Sequence, residues 1–254
     1  MAAIIATRLQ HTHLQPGNVV PLTRARQFIS ARPLECGDNR YRSRHGRRVS
    51  RIEPSRSLRK RLFDIVMSAT ALLFFAPLLI AIAAIIKLTS RGPVLFFQYR
   101  YGYRNRRFKI YKFRSMRVDA ADKTGVKQTV KGDSRVTWIG KILRKTSLDE
   151  IPQLINVIKG DMSLVGPRPH VPGMLAAELL YEELVPYYFQ RHMARPGITG
   201  LAQVSGCRGS TVEAGRAISR IDYDLHYIER WSLRLDIMII VRTIRKEFLS
   251  GSGF

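Results

Sequence analysis

Two adjacent carboxylates, Asp149 and Glu150, carry the clearest chemical potential in the chain, within the run KTSLDEIPQLINVIKGDMSLVGPRP. Thr146 or Ser147 can cap a short helix there, placing both acids in its first turn, and acids so placed ordinarily only complement the helix dipole. Their neighbours point to more, because Arg144, Lys145, Lys159 and Arg168 lie in or beside the same run. Cations keep a carboxylate ionised and let it approach a phosphate. An ionised Asp can then act as a covalent nucleophile at phosphorus, and a second carboxylate can share a Mg²⁺ with substrate phosphates.

Other segments look like phosphate grips. Lys112-Phe113-Arg114-Ser115-Met116-Arg117 alternates cationic and hydroxyl donors along one strand face, and Gly166-Pro167-Arg168-Pro169 holds one arginine between two prolines. Rigid flanks reduce the entropy lost when a guanidinium locks onto phosphate. In Arg195-Pro196-Gly197-Ile198-Thr199-Gly200 the glycines allow a ligand close to the backbone, although glycine-rich and proline-rich loops are mostly plain turns. The six histidines show no ligand spacing, and His170 and His192 are as readily structural as functional. No P-loop, dinucleotide-binding glycine signature or H-E-x-x-H is present. Cys36 and Cys207 read as thiols in a reducing compartment.

The elements that must position these groups are legible in outline. VLFFQYRYGYRNRRFKIYKF forms two aromatic-rich runs about a Gly102–Arg107 turn, which predicts a hairpin. Short helices are expected over Lys141–Lys145 and Glu150–Ile158, a longer one over Leu175–Arg191, and a basic amphipathic one over Ile221–Phe248. The last carries Trp231 and suits either a membrane interface or ordinary packing.

One run stands apart. Residues 65–86, IVMSATALLFFAPLLIAIAAII, are uncharged and long enough to cross a bilayer, about 33 Å as a straight helix. Arg51, Arg56, Arg59, Lys60 and Arg61 precede the run, and nine basic residues with no acid occupy 91–118 after it. The positive-inside tendency places both flanks on the cytoplasmic side, which one straight crossing cannot satisfy. Pro77 lacks an N–H and clashes with the carbonyl of Leu73, so a bend at Ala76-Pro77 and a return to the same face is favoured over an ordinary span or a buried core helix.

The chain has 254 residues and a formal charge of +24. Such a balance excludes an acidic soluble enzyme and calls for polyanionic partners: nucleic acid, anionic lipid or phosphate-rich substrates. Residues 1–61 hold fourteen Arg/Lys against three acids, with four prolines and no sustained period. They read as a basic arm, either a solvated tail or an electrostatic tether to anionic membrane lipid. The expected organisation is a disordered arm over 1–57, a membrane anchor over 58–90 and a catalytic domain over 91–254.

KRLFDIVMSATALLFFAPLLIAIAAIIKLTSRGPVLFFQ, IYKFRSM, the Asp-Glu run, RPGITGLAQVSG and IDYDLHYIERWSLRLDIMIIVRT together resemble the bacterial sugar transferase family, the monotopic polyprenyl-phosphate phosphoglycosyl transferases. The likeness covers about residues 58–246. It implies an α+β, mainly helical fold: a re-entrant helix-break-helix anchor in the bacterial inner membrane, and a small cytoplasmic domain with interfacial amphipathic helices and a short β-hairpin. It also implies transfer of a sugar-1-phosphate from a UDP-sugar, by preference a UDP-hexose, to undecaprenyl phosphate with release of UMP, as the initiating step of exopolysaccharide or related glycan assembly. Asp149 would be the nucleophile of a ping-pong mechanism, and Glu150 would help bind Mg²⁺. By the same resemblance Lys112, Arg114 and Arg168 would hold the diphosphate, and Arg195, Gly197 and Thr199 would lie near the nucleotide. Ala76 departs from the serine usual before the breaking proline, and with none of the larger members' additional transmembrane helices expected before the catalytic unit the chain resembles the short exopolysaccharide-type members, the basic arm being its own addition. A homo-oligomer is compatible with this reading. The alternatives are a non-catalytic, basic, membrane-attached scaffold and, least favoured, a nucleic-acid binder.

Overall fold

The computed structural model describes residues 53–117, 133–207, 209 and 211–250, with side chains as far as residue 246. Most of the basic arm and Cys36 lie outside the described residues. Residues 53–57, counted with that arm, pack on the domain: Pro54–Arg56 form a 3₁₀ turn with Pro54 and Ser55 buried.

The apolar run becomes α1 (Leu58–Thr89), capped by the Ser57 side chain, which accepts from the Lys60 N–H, and ended at Ser90. At 32 residues the helix measures about 48 Å of chain. The helical run continues past Pro77, so the expected helix-break-helix appears as one element with a proline inside. Both of its ends are held by the same body. Near the start, Lys60 Nζ meets Asp236 Oδ2 at 2.7 Å, Arg61 donates to the Val157 and Ile158 carbonyls, and the Asp64 carboxylate accepts from Leu164 N–H. Near the end, Ile82 and Ile86 are buried with Phe113, Ile139 and Leu143. Between them Leu73, Phe74 and Ile80 are more than two-thirds exposed.

The hairpin forms as expected: β1 (Leu95–Tyr101) pairs antiparallel with β2 (Arg107–Phe113), from Leu95↔Phe113 to Tyr101↔Arg107. Gly102 is required at the turn, since a Cβ there would sit 2.8 Å from the Arg106 carbonyl oxygen. After it come α2 (Trp138–Lys145), a 3₁₀ turn (Leu148–Glu150) and α3 (Gln153–Lys159), close to the two short helices expected. The parallel pair β3 (Ser163–Val165) and β6 (Gly197–Thr199) joins the proline-flanked arginine loop to the glycine loop. Phe108 and Ile110 of β2 pack with Val157 and Met162, which fixes the hairpin over α3.

The long helix expected over Leu175–Arg191 does not form. It is replaced by β4 (Leu175–Ala176), β5 (Leu179–Leu180), the single turn α4 (Tyr181–Leu184) and a 3₁₀ run Tyr188–Met193. Ala177 and Glu178 adopt φ of 49° and 65° to close a tight hairpin, and Pro186 cannot continue a helix. A short α5 (Leu201–Val204) follows β6. The expected C-terminal helix is two, α6 (Ala214–Glu229) and α7 (Leu233–Ser250), separated at Arg230-Trp231-Ser232. Cys207 is buried in the core with Val165, Leu201 and Ala202. The architecture is mainly helical with a few short strands, as the sequence predicts.

Candidate functional site

Glu150 is the meeting point. Ser147 takes a left-handed φ of 55° without a capping side-chain bond, so the chain turns sharply after α2 and presents Asp149 and Glu150 on the 3₁₀ turn rather than in a regular helix. Lys112 reaches Glu150 from β2, Nζ to Oε1 at 2.8 Å. Arg168 arrives from the opposite side and grips both oxygens, Nη2 to Oε1 at 2.6 Å and Nη1 to Oε2 at 3.3 Å. Burial pushes Glu150 towards the neutral form, but the Arg168 guanidinium and the Lys112 ammonium outweigh it and hold the carboxyl well below its usual range.

Asp149 behaves in the opposite way. Its side chain is buried, and among the described residues none hydrogen-bonds its carboxylate. Burial first, and the adjacent Glu150 charge, push it up to about 6, while Lys112, Arg144 and Arg168 pull it down. The dyad thus places a shielded anion with unengaged oxygens beside one saturated with cations. At neutral pH both are ionised, and the less solvated of the two is the better nucleophile.

Several predicted residues lie elsewhere. The strand ends at Phe113, so Arg114 leaves the face that carries Lys112; its guanidinium is buried on the Ser90, Arg91 and Ile86 carbonyls and the Ser90 hydroxyl, closing the end of α1. Arg195 ties the 3₁₀ turn at Pro54–Arg56 to the domain, through Ser55 O at 2.6 Å and Gly160 O at 3.0 Å. A Cβ on Gly197 would overlap the Gly166 backbone, so that glycine serves the close approach of two loops and not of a ligand. Thr199 does reach the site: with Glu150 it lines a cavity of about 170 Å³. Lys159 donates to the Tyr111 hydroxyl, away from the dyad.

Other positioning residues gave no motif. Arg191 is 1% exposed, bridges the Asp224 carboxylate on α6 at 2.6 Å, and donates to the Arg168 carbonyl at 2.7 Å. Asn156 is fully buried and clamps β2 to α3 through Tyr111 N–H and Lys109 O, which sets the height of Lys112. Their only signal was a polar side chain on the inward face of a short helix or loop. His170 and His192 belong to a buried aromatic cluster with Tyr188, and burial, followed by the Arg191 charge, holds both below the usual imidazole range.

No group of three His, Cys, Asp or Glu side chains placed to hold a metal ion occurs among the described residues. Of the two Glu150 oxygens Oε2 is the less engaged, with Arg168 Nη1 at 3.3 Å, so a Mg²⁺ shared with substrate phosphates would have to share this carboxylate with Arg168.

The profile of the bacterial sugar transferase family matches residues 55–250. The exopolysaccharide production protein PSS of Rhizobium leguminosarum bv. phaseoli is 54% identical over 195 residues, covering 77% of this chain and 98% of that protein. The undecaprenyl-phosphate glucose phosphotransferase of Komagataeibacter xylinus is 50% identical over 78% of this chain and 37% of its own length. The UDP-glucose:undecaprenyl-phosphate glucose-1-phosphate transferase of Klebsiella pneumoniae is 48% identical over 77% and 41% respectively. The chain therefore spans nearly all of the first relative and about two-fifths of the other two.

Proposed function

Because the chain belongs to the bacterial sugar transferase family, we propose that it moves a sugar-1-phosphate from a UDP-sugar to undecaprenyl phosphate, with UMP as the by-product, and so initiates an exopolysaccharide or related surface glycan. The observation that carries this reading is the convergence of Lys112 and Arg168 on Glu150 next to a buried, unengaged Asp149.

An Asp149 carboxylate oxygen attacks the sugar-bearing phosphorus of the donor, and the P–O bond to the nucleotide breaks with its electron pair leaving on UMP. The aspartyl-phosphosugar then meets a phosphate oxygen of the lipid acceptor, which forms the new diphosphate bond and returns Asp149 as a carboxylate. Arg168 and Lys112 serve both steps by stabilising charge on the transferring phosphoryl oxygens. Arg144, whose charge acts on Asp149, adds a third cation. Mg²⁺, held by Glu150 and the donor's phosphates, would neutralise the diphosphate. Two of the relatives named above act on glucose by name, which makes UDP-glucose the first donor to try.

A cytoplasmic site on an inner-membrane anchor completes the reading. A straight crossing separates its two ends by the thickness of a bilayer, about 30 Å. Yet Asp64 and Ile86 of α1 are both buried against the same domain, while the middle of the helix is bare. A bent, re-entrant α1 fits this better than a span. Exposed Ile237, Met238, Val241 and Ile244 on α7, with Trp138 and Ile142 on α2, suit helices lying in the headgroup region. Cysteines introduced as Ser57→Cys and Thr89→Cys should both react from the cytoplasmic side only; labelling of either from the periplasm contradicts the bend.

Detergent-solubilised protein with Mg²⁺, undecaprenyl phosphate and UDP-glucose or other UDP-sugars should release UMP, and Asp149→Asn should abolish release. No UMP from any UDP-sugar, or an Asp149→Asn variant as active as the parent, overturns the assignment.

A further inference from the structure

The cavity beside Glu150 is walled by Ile151 and Leu154, by Ile198 and Val204, and by Thr243 and Lys246 of α7. Its polar side chains are largely turned onto one another. Thr199 and Thr243 share a hydroxyl contact of 2.6 Å, Thr243 also donates to Ile239 O, and Gln203 Nε2 donates to Ile198 O. What remains facing the void is mainly carbon. Gln203 Oε1 is the wall's one buried side-chain oxygen or nitrogen without a partner among the described residues. A hexose ring would set several hydroxyls against a wall that is mainly carbon, and each unmet hydroxyl is costly. An apolar cavity of about 150 Å³ holds a benzene-sized group, so a five-carbon isoprene unit fits a cavity of about 170 Å³.

We infer that this cavity is the subsite for the phosphate-proximal isoprene of the lipid acceptor, a conclusion that rests on the function proposed above. Three features set its orientation. Glu150, at one wall, is bound to Lys112 and Arg168, which puts the cations that meet the acceptor phosphate next to the apolar void. Lys246 of α7 adds a cation to the same lining. Two of the helices that contribute to the wall, α3 and α7, carry exposed Ile155, Ile158, Val241 and Ile244, so the rest of the chain can leave along apolar surface towards lipid. The subsite therefore reads the acceptor by its first isoprene, and the donor sugar sits outside it.

Soluble phosphates test this on the unaltered protein. Dimethylallyl phosphate should inhibit sugar transfer to undecaprenyl phosphate at a concentration about tenfold lower than methyl phosphate or inorganic phosphate, competitively with the lipid. Val204→Phe, which fills the cavity, should remove that preference and raise KM for the lipid about tenfold, with KM for the UDP-sugar unmoved. Equal inhibition by the three phosphates sinks the subsite, as does a Val204→Phe effect on the UDP-sugar KM, and the first comparison needs no variant to fold. A parent protein that releases no UMP sinks the underlying reading as well; one that releases UMP but ignores the prenyl group sinks this subsite alone.

Discussion

Two buried acidic clusters in this chain use the same residue types to opposite ends. At the base of α1, Asp236 is wholly buried and accepts from Lys60 Nζ, Tyr227 Oη and Trp231 Nε1, all within 3.0 Å, while the nearby Asp64 accepts from Leu164 N–H. Charge and hydrogen bonds there are closed, and the cluster locks α1 to α7. At the dyad only Glu150 is closed in this way; Asp149 is nearly as buried but its oxygens accept nothing among the described residues. Burial alone does not separate structural from reactive carboxylates. The separating property is whether the oxygens are already engaged.

The largest effect follows from removing the reactive oxygen. Asp149→Asn should lower UMP release by roughly 10³-fold or more, while Asp236→Ala should leave the dyad chemically intact and lower unfolding stability by about 3 kcal/mol, the cost of leaving Lys60 buried with only Asp64, 4.0 Å away, as counter-charge. UMP release and thermal unfolding, measured on both variants, break the comparison if the two losses exchange places. Next in size, Arg168→Ala should lower kcat/KM for the UDP-sugar by about 10²-fold, as for other single charge-stabilising donors. A loss under threefold would mean that the grip on Glu150 is structural.

The pH dependence is smaller and has a definite sign. Asp149 titrates at about 6 and must be ionised to attack, so kcat/KM should fall tenfold per pH unit below that point. Lys112 holds that value down, so Lys112→Met should move the acid limb upward. An unmoved limb would assign it to another group. Stability follows the same group: its folded value lies above the usual 3.8, so the folded state binds the extra proton, and ionising Asp149 destabilises the fold as pH rises from about 4 to about 6. Asp149→Asn should accordingly unfold at a slightly higher temperature than the parent at pH 8, with the gain vanishing near pH 4.

What the sequence revealed and what it hid divide along the same line. The dyad, the hairpin, Lys112 and the proline-flanked Arg168 were legible because each depends on local pattern: alternation, a turn glycine, adjacent acids, a rigid dipeptide frame. Arg114 was misplaced because a single residue separates it from Lys112, which on a continuing strand means the same face, but β2 ends between them and the helix end at Ser90 captures the guanidinium. The glycines at 197 and 200 looked like ligand contacts because close approach leaves one signature whether the visitor is a phosphate or another loop. Arg191 escaped notice since its partners, Asp224 and the Arg168 carbonyl, are distant in sequence. The helix expected over Leu175–Arg191 failed where Pro186 and the turn at Ala177-Glu178 overrode an apolar period.

The central claim is that Asp149 itself carries the phosphosugar between donor and acceptor. Incubating the protein with UDP-glucose and Mg²⁺ but no lipid, then quenching and mapping peptides by mass spectrometry, tests it directly. The account predicts a hexose-phosphate adduct on the peptide containing Asp149, formed with one equivalent of UMP and discharged on adding undecaprenyl phosphate. An adduct on any other residue, or UMP release that requires the lipid and leaves Asp149 unmodified, would contradict it.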